Sequence, residues 1–137
     1  MTDPQKPLTL QPSYGQAFTF ASHSYSPYSH FRVGAAIRLN NGEIVTGTNV
    51  ENVSFGLTLC AERSALVQAV SRFGASIRIE AFAVANRNEA PSPPCGACLQ
   101  MLSEFVTDST IVLYPGPEGL VEEPFGNLLP RRFHFKH

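Results

Sequence analysis

Lysine is nearly missing from this sequence: Lys6 and Lys136 are the only two in 137 residues. The ten basic residues are offset by eleven acidic ones, for a formal net charge of −1. The longest basic cluster is the pair Arg131 and Arg132. Binding a phosphate backbone needs a concentrated positive surface. That footprint is absent, so a small, nearly neutral partner fits better than a nucleic acid. No apolar run is long enough to span a bilayer. The first thirty residues lack a basic segment followed by an apolar one, so no secretory leader is expected. The expectation is a cytoplasmic protein without membrane contact. Charged residues make up only 15% of the chain, which hints at surface covered by other subunits. Cysteine is also scarce. In a reducing compartment the three cysteines read as metal or catalytic groups before disulfides.

Hydrophobic residues make up 43%, too many for a disordered chain. The length favours a single domain over residues 1–137, burying roughly two thirds of its unfolded surface. Residues 1–13 are polar and proline-bearing, and their start reads as a mobile terminus. A first helix is expected over 14–24, weakened by Gly15 and its serines. Ser24 to His30 reads as a loop. Val33, Ala35, Ile37 and Leu39 alternate with Arg32, Gly34, Ala36 and Arg38, which is strand periodicity. Asn41-Gly42 signals a turn, and residues 43–50 return as a second strand.

Leu66, Ala69, Val70 and Phe73 recur at helical spacing, predicting a helix from about 60 to 73 that stops at Gly74. Ile77 to Ala85 reads as a central strand, apolar on both faces at its end. A proline-rich loop over 86–94 leads to a second helix whose stripe holds Cys95, Cys98, Leu99, Leu102, Phe105 and Val106. Thr110 to Tyr114 is the next strand, with a short edge strand near 120–124. The order β-β-α-β-α-β implies an α/β fold, with helices packed on a mixed sheet.

The cysteines carry the chemistry. Cys95 and Cys98 lie three apart in Pro94-Cys95-Gly96-Ala97-Cys98, on one face of a helix. Cys60 opens the other helix in Cys60-Ala61-Glu62-Arg63. Helix N-termini stabilise thiolates, the form that binds metal. Three soft sulfurs at two helix starts describe a zinc site. Structural zinc normally takes four protein ligands, whereas catalytic zinc takes three and leaves room for water. Glu62 is then a candidate proton carrier. A redox pair at Cys95 and Cys98, buried core cysteines, or a structural site closed by a histidine are the competing readings. His23, His30, His134 and His137 read as surface or loop residues. Asn49 and Glu51, two apart at a strand end, face one side and suit sugar hydroxyls. A turn or cap role is their alternative.

These motifs resemble the small, homotetrameric cytidine deaminases. The resemblance rests on Tyr28-Ser29-His30-Phe31-Arg32-Val33-Gly34-Ala35, Asn49-Val50-Glu51-Asn52, Cys60-Ala61-Glu62-Arg63, Pro94-Cys95-Gly96-Ala97-Cys98-Leu99-Gln100, and Leu128-Leu129-Pro130 before Phe133. It implies a three-layer α/β/α fold around a roughly five-stranded mixed sheet. It implies one Zn²⁺ per chain on Cys60, Cys95 and Cys98, with Glu62 as the catalytic acid and base. The implied reaction is hydrolysis of cytidine and deoxycytidine to the uridine products, as in pyrimidine salvage. Cysteine rather than histidine at position 60 resembles enzymes acting on free nucleosides.

The resemblance also assigns substrate contacts. Phe31 packs against the pyrimidine, Asn49 and Glu51 hold the ribose, and the Ala61 N–H binds the ring carbonyl. The Pro93 carbonyl accepts from the substrate amino group, and Phe133 reaches into a neighbouring subunit's site. Zn²⁺ with three thiolates sums to −1, which opposes ionisation of bound water. Arg63 is placed to offset that charge. Two positions depart from the family pattern: Phe55 stands where tyrosine is frequent, and Pro93 where serine or threonine is frequent. A deaminase of a cytosine-bearing antibiotic or modified nucleoside keeps the same chemistry, and the Asn49/Glu51 pair argues against it.

Overall fold

The computed structural model describes residues 5–134. Five strands form one sheet in the order β2-β1-β3-β4-β5. They are β1 (Val33–Leu39), β2 (Ile44–Thr48), β3 (Ile79–Asn86), β4 (Ile111–Gly116) and β5 (Gly119–Pro124). Only β3 and β4 run parallel, and the other neighbours are antiparallel. The sheet is therefore mixed, as the alternating elements in the sequence imply. The helices are α1 (Gln5–Phe20), α2 (Ala61–Phe73), α3 (Gly96–Leu102) and the single turn α4 (Phe125–Leu128). Among the described residues no helix is long and apolar enough to cross a membrane.

The sheet is covered on both faces. On one, Ala17 of α1 packs with Ala36, Ala83, Ala85 and Leu113. On the other, Ala65, Leu66 and Ala69 of α2 and Leu99 and Leu102 of α3 pack with Ala35, Ile37, Phe82 and Val84. This gives three layers with two hydrophobic seams. Strand β1 is buried on both faces, which explains its alternation of larger residues with glycine and alanine.

Two glycines set how close the helices lie. A Cβ on Gly34 would fall 2.0 Å from the Ala17 carbonyl oxygen of α1. A Cβ on Gly47 would fall 2.4 Å from the Ala65 nitrogen of α2. Both obstacles are helix backbone, which cannot swing aside. Gly47→Ala is therefore expected to cost about 3 kcal/mol, the upper range for overpacking. Urea unfolding midpoints would measure the loss, and an unchanged midpoint would contradict the close approach.

Three elements differ from the sequence reading. The first helix begins at Gln5, not near residue 14, so most of the 1–13 segment read as a terminus with a mobile start is helical, and residues 1–4 lie outside the described residues. The third helix stops at Leu102, short of Phe105 and Val106. There the Ser103 hydroxyl donates to the Gln100 carbonyl, and the Phe105 N–H bonds back to Leu102. The Phe105 carbonyl then accepts from the Ile79 N–H at the start of β3. Strand β3 itself starts at Ile79, two residues later than the apolar run suggests, and extends to Asn86.

Candidate active site

The parallel pair β3–β4 is bridged by α3, and the connection leaving β3 ends at Cys95. Crevices at the carboxyl ends of parallel strands are the usual ligand sites of α/β sheets. Here α2 and α3 both point their first turns into such a crevice. Cys60 is the residue before α2, and Cys95 is the residue before α3. Serine, threonine and aspartate are the usual helix caps. Neither cysteine makes a capping hydrogen bond, so both sulfurs are free for another task.

The Sγ atoms of Cys60, Cys95 and Cys98 all lie within 4.8 Å of one another. Thiolates bound to one zinc at about 2.3 Å sit roughly 3.8 Å apart, so small side-chain adjustments complete the coordination. Among the described residues, no histidine nitrogen joins this group. His23, His30 and His134 are all exposed, as expected, and His137 lies outside the described residues. Three soft donors, with no fourth ligand beside them among the described residues, fit a catalytic zinc better than a structural one.

The electrostatics favour metal binding. The Cys98 thiol donates to the Cys60 sulfur, and this bond is the largest influence on Cys60. Burial works against it, while Arg63 adds a hydrogen bond and charge, and Cys60 is held down to about 5. The Arg63 Nη2 lies 3.3 Å from the Cys60 Sγ. The same thiol–thiolate bond, reinforced by burial and by Glu62, raises Cys98. Cys60 is thus a ready thiolate, while Cys98 gives up a proton on metal entry.

Glu62 is 3% exposed. Burial is the main cause of its raised pKa, and the Cys60 thiolate adds to it. The Cys95 backbone N–H donates to Glu62 Oε2 at 3.3 Å and opposes the shift. A buried carboxyl that holds its proton more tightly than usual is suited to carry protons near neutral pH.

Glu62, Cys60 and Cys95 open onto a cleft of about 200 Å³. Ala61, Asn49, Phe31 and Pro93 line it too, so four of the residues assigned to the substrate by the resemblance share one cleft. Val33, Val84, Thr58 and Ser92 complete its lining. The sequence reading missed these four. Thr58 was findable: it lies two residues before Cys60 in extended chain, hence on the same side.

Asn49 and Glu51 part company. The Asn49 Nδ2 donates to the Phe31 carbonyl at 2.8 Å, and its Oδ1 accepts from the Val33 N–H at 3.0 Å. Glu51 is not among the cleft-lining residues. Its Oε1 accepts from the Tyr28 and Ser29 N–H groups at 3.0 and 3.1 Å, and its Oε2 accepts from the Ser29 hydroxyl. The Ser29 hydroxyl is the chief reason that the Glu51 carboxyl lies below its ordinary pKa. In this chain, then, Glu51 fixes the turn leading to Phe31.

Phe133 is 72% exposed and outside the cleft. Gln100 of α3 holds its backbone by two hydrogen bonds, donating to the carbonyl at 2.8 Å and accepting from the N–H at 3.2 Å. Phe55, the tyrosine-to-phenylalanine departure, lies edge-on to Tyr28 with ring centroids 6.0 Å apart.

A family model for the cytidine and deoxycytidylate deaminase zinc-binding region matches residues 10–114. The chain belongs to this family. A cytidine deaminase from Halalkalibacterium halodurans is 41% identical over 111 residues, covering 80% of this chain and 83% of that protein. The crystal structure of cytidine deaminase from Mycobacterium tuberculosis superposes with a TM-score of 0.78 at 38% identity, covering 91% of this chain and 97% of that one. That of the cytidine deaminase from Burkholderia pseudomallei gives 0.79 at 35% identity, over 90% and 98% of the two chains. The family's zinc-binding region and the converging cysteines agree: this is a zinc site.

Proposed function

We propose that the chain hydrolytically deaminates cytidine and 2′-deoxycytidine to uridine and 2′-deoxyuridine with release of ammonia. The observation that carries this reading is the buried Glu62 carboxyl beside three convergent cysteines, in a cleft walled by Phe31. Bound zinc, held by Cys60, Cys95 and Cys98, supplies an acidified water, with a pKa brought from about 15.7 towards about 7. Glu62 takes a proton from the attacking water and delivers it to N3 of the pyrimidine. Attack at C4 follows, and Glu62, a carboxylate again, takes the proton of the new C4 hydroxyl and passes it to the amino group, which leaves as ammonia as the C4 carbonyl forms. A single carboxylate can serve each transfer because it stands close to both partners.

The remaining residues orient the ring. The Ala61 N–H, at the start of α2, donates to the ring carbonyl, and the Pro93 carbonyl accepts from the exocyclic amino group. Phe31 packs on the base, while Asn49 faces the ribose beside it. Glu51 acts on the sugar side of the site through the position of the 28–31 turn. The whole chain serves as one catalytic domain.

A homotetramer completes the site, with Phe133 entering a neighbouring subunit's cleft. Its exposed ring supports this, as do Val53, Phe55 and Leu57, each more than two-thirds exposed. The enzyme works in the cytoplasm, in pyrimidine salvage. The test is an ultraviolet assay of cytidine and deoxycytidine with purified protein, with zinc counted per chain. Zinc at one per chain without ammonia release from either nucleoside would overturn the reading.

Arg63 has a separate task. Its charge offsets the net −1 of zinc with three thiolates and so favours loss of a proton from the bound water. Arg63→Ala is expected to leave the fold intact and slow turnover at neutral pH. The acidic limb of the pH–rate profile should move upward in pH, because the water loses its proton less readily. A profile in the wild-type position at wild-type turnover would remove Arg63 from the mechanism.

A further inference from the structure

Phe31 lines the cleft from a segment with no regular structure, so something other than a strand or helix must hold its ring in place. Both of its own backbone groups are held by side chains. The Phe31 N–H donates to the Ser29 hydroxyl at 3.0 Å, and its carbonyl accepts from Asn49. On either side of it the partner is a single residue, Asn88. The Asn88 Nδ2 donates to the His30 carbonyl at 2.9 Å, and its Oδ1 accepts from the Arg32 N–H at 2.9 Å. One amide thus brackets Phe31 from 56 and 58 positions away in sequence.

The chain accepts strain to make this junction. Among the described residues, two without a glycine's freedom have left-handed backbone, His30 at φ 60° and Glu89 at φ 55°. His30 supplies the carbonyl that Asn88 grips, and Glu89 follows Asn88 directly. Such conformations persist only where the surroundings over-determine them, and they gather at functional sites. Here Asn86 does the holding: its Oδ1 accepts from the Asn88 and Ala90 N–H groups, and its Nδ2 donates to the Ala90 carbonyl. The Arg87 N–H also donates to the Arg32 carbonyl at 3.0 Å. The same loop goes on to place Pro93 and Cys95 in the cleft.

We propose that Asn88 is a positioning residue that fixes the aromatic wall of the cleft to the loop carrying Pro93 and Cys95, and thereby sets the affinity for the substrate base. Asn88 does not touch the cleft, so its effect is transmitted through Phe31. The kinetic part of this inference rests on cytidine being the substrate.

Asn88→Ala is expected to raise KM for cytidine about tenfold, the scale of two lost backbone-fixing hydrogen bonds, with kcat within about twofold and zinc unchanged. Asn88→Asp keeps the acceptor for Arg32 and loses the donor to His30, so its KM should fall in between. A variant that merely folded poorly would lower the active fraction, and with it apparent kcat, at constant KM. A second measurement does not depend on the substrate. The chain has no tryptophan, so Phe31→Trp installs a single indole in the wall, excited selectively over the four tyrosines. Adding Asn88→Ala to that variant should lower the indole anisotropy and increase its quenching by acrylamide. If the wild type leaves cytidine untouched and the indole still loosens, the substrate reading fails and the positioning role stands. Unchanged KM in an active Asn88→Ala enzyme, or an indole unmoved by that change, overturns the proposal.

Discussion

Glu62→Gln is expected to abolish practical turnover while leaving one zinc per chain and a folded protein. General acid–base catalysis by one positioned group contributes about 10²–10⁴-fold. Glu62 is asked to move a proton to the ring and another to the leaving group, so the loss should reach about 10⁴-fold in kcat, or about 5 kcal/mol of barrier. Glutamine has nearly the same shape, and its amide oxygen can still accept from the Cys95 N–H that now meets Glu62 Oε2. The cleft should therefore bind nucleoside with little change in KM. Stability should hold or rise. Burial raises the Glu62 pKa, so in the metal-free protein the native state loses stability as pH climbs from the unfolded carboxyl range through that raised value. Glutamine, which never ionises, escapes this penalty. A variant within about tenfold of wild type in kcat would assign the proton transfers to another group. Loss of zinc with the activity would instead make Glu62 a structural support of the metal site.

The elements readable in the sequence were those whose pattern and punctuation agree. Strand β1 alternates, Gly42 takes a positive φ in the turn after it, and Gly74 ends α2 one residue past Phe73. In α1 the two signals conflict. Pro7, Pro12 and Gly15 all lie inside a helix that runs from Gln5 to Phe20. Local propensity argues against it, but most helical stability in proteins comes from tertiary packing. The decisive contact, α1 backbone against Gly34 of a strand, has no local signature.

The candidate site divides in the same way. Cys60, Glu62, Cys95 and Cys98 are legible because their chemistry dictates spacing along helices, and the structure brings them together. Asn49 and Glu51 share a side in sequence, but only Asn49 reaches the cleft. A carboxylate that accepts three hydrogen bonds from the 28–29 turn is as much a structural anchor as a ligand. Asn88 escaped altogether, and Ser29 stood in a motif without a role. Each acts by bonding side chain to backbone, a role that any loop asparagine or serine could fill and that only the tertiary fold assigns.

Removing the metal should be as costly as removing Glu62, and reversible. Cys98 is fully buried, and its neighbours Cys60 and Cys95 are the other two donors. Cys98→Ser keeps the side-chain shape at slightly smaller volume but replaces a soft donor with a hard one. Loss of a partner beyond the ligands themselves costs roughly 10–100-fold in metal affinity, and loss of a ligand should exceed that. The variant is expected to purify without zinc, to deaminate nothing, and to unfold at a lower temperature because the native state no longer gains from metal binding. Wild-type protein stripped with a chelator should behave likewise and recover on adding zinc, which Cys98→Ser should not.

The pH dependence of zinc binding follows from the sulfurs. Cys60, held down to about 5, is already a thiolate at pH 6 and above and adds no slope there. Cys98 is raised by its hydrogen bond to Cys60, so it still carries a proton that zinc must expel. Each proton released makes affinity climb about tenfold per pH unit. Competition against a chelating dye between pH 6 and 8 should show at least that slope, with zinc bound more tightly at the higher pH. A flat affinity across this range would mean that Cys98 has already lost its proton before the metal arrives. The thiol–thiolate bond between Cys98 and Cys60 would then have no place in the metal-free site.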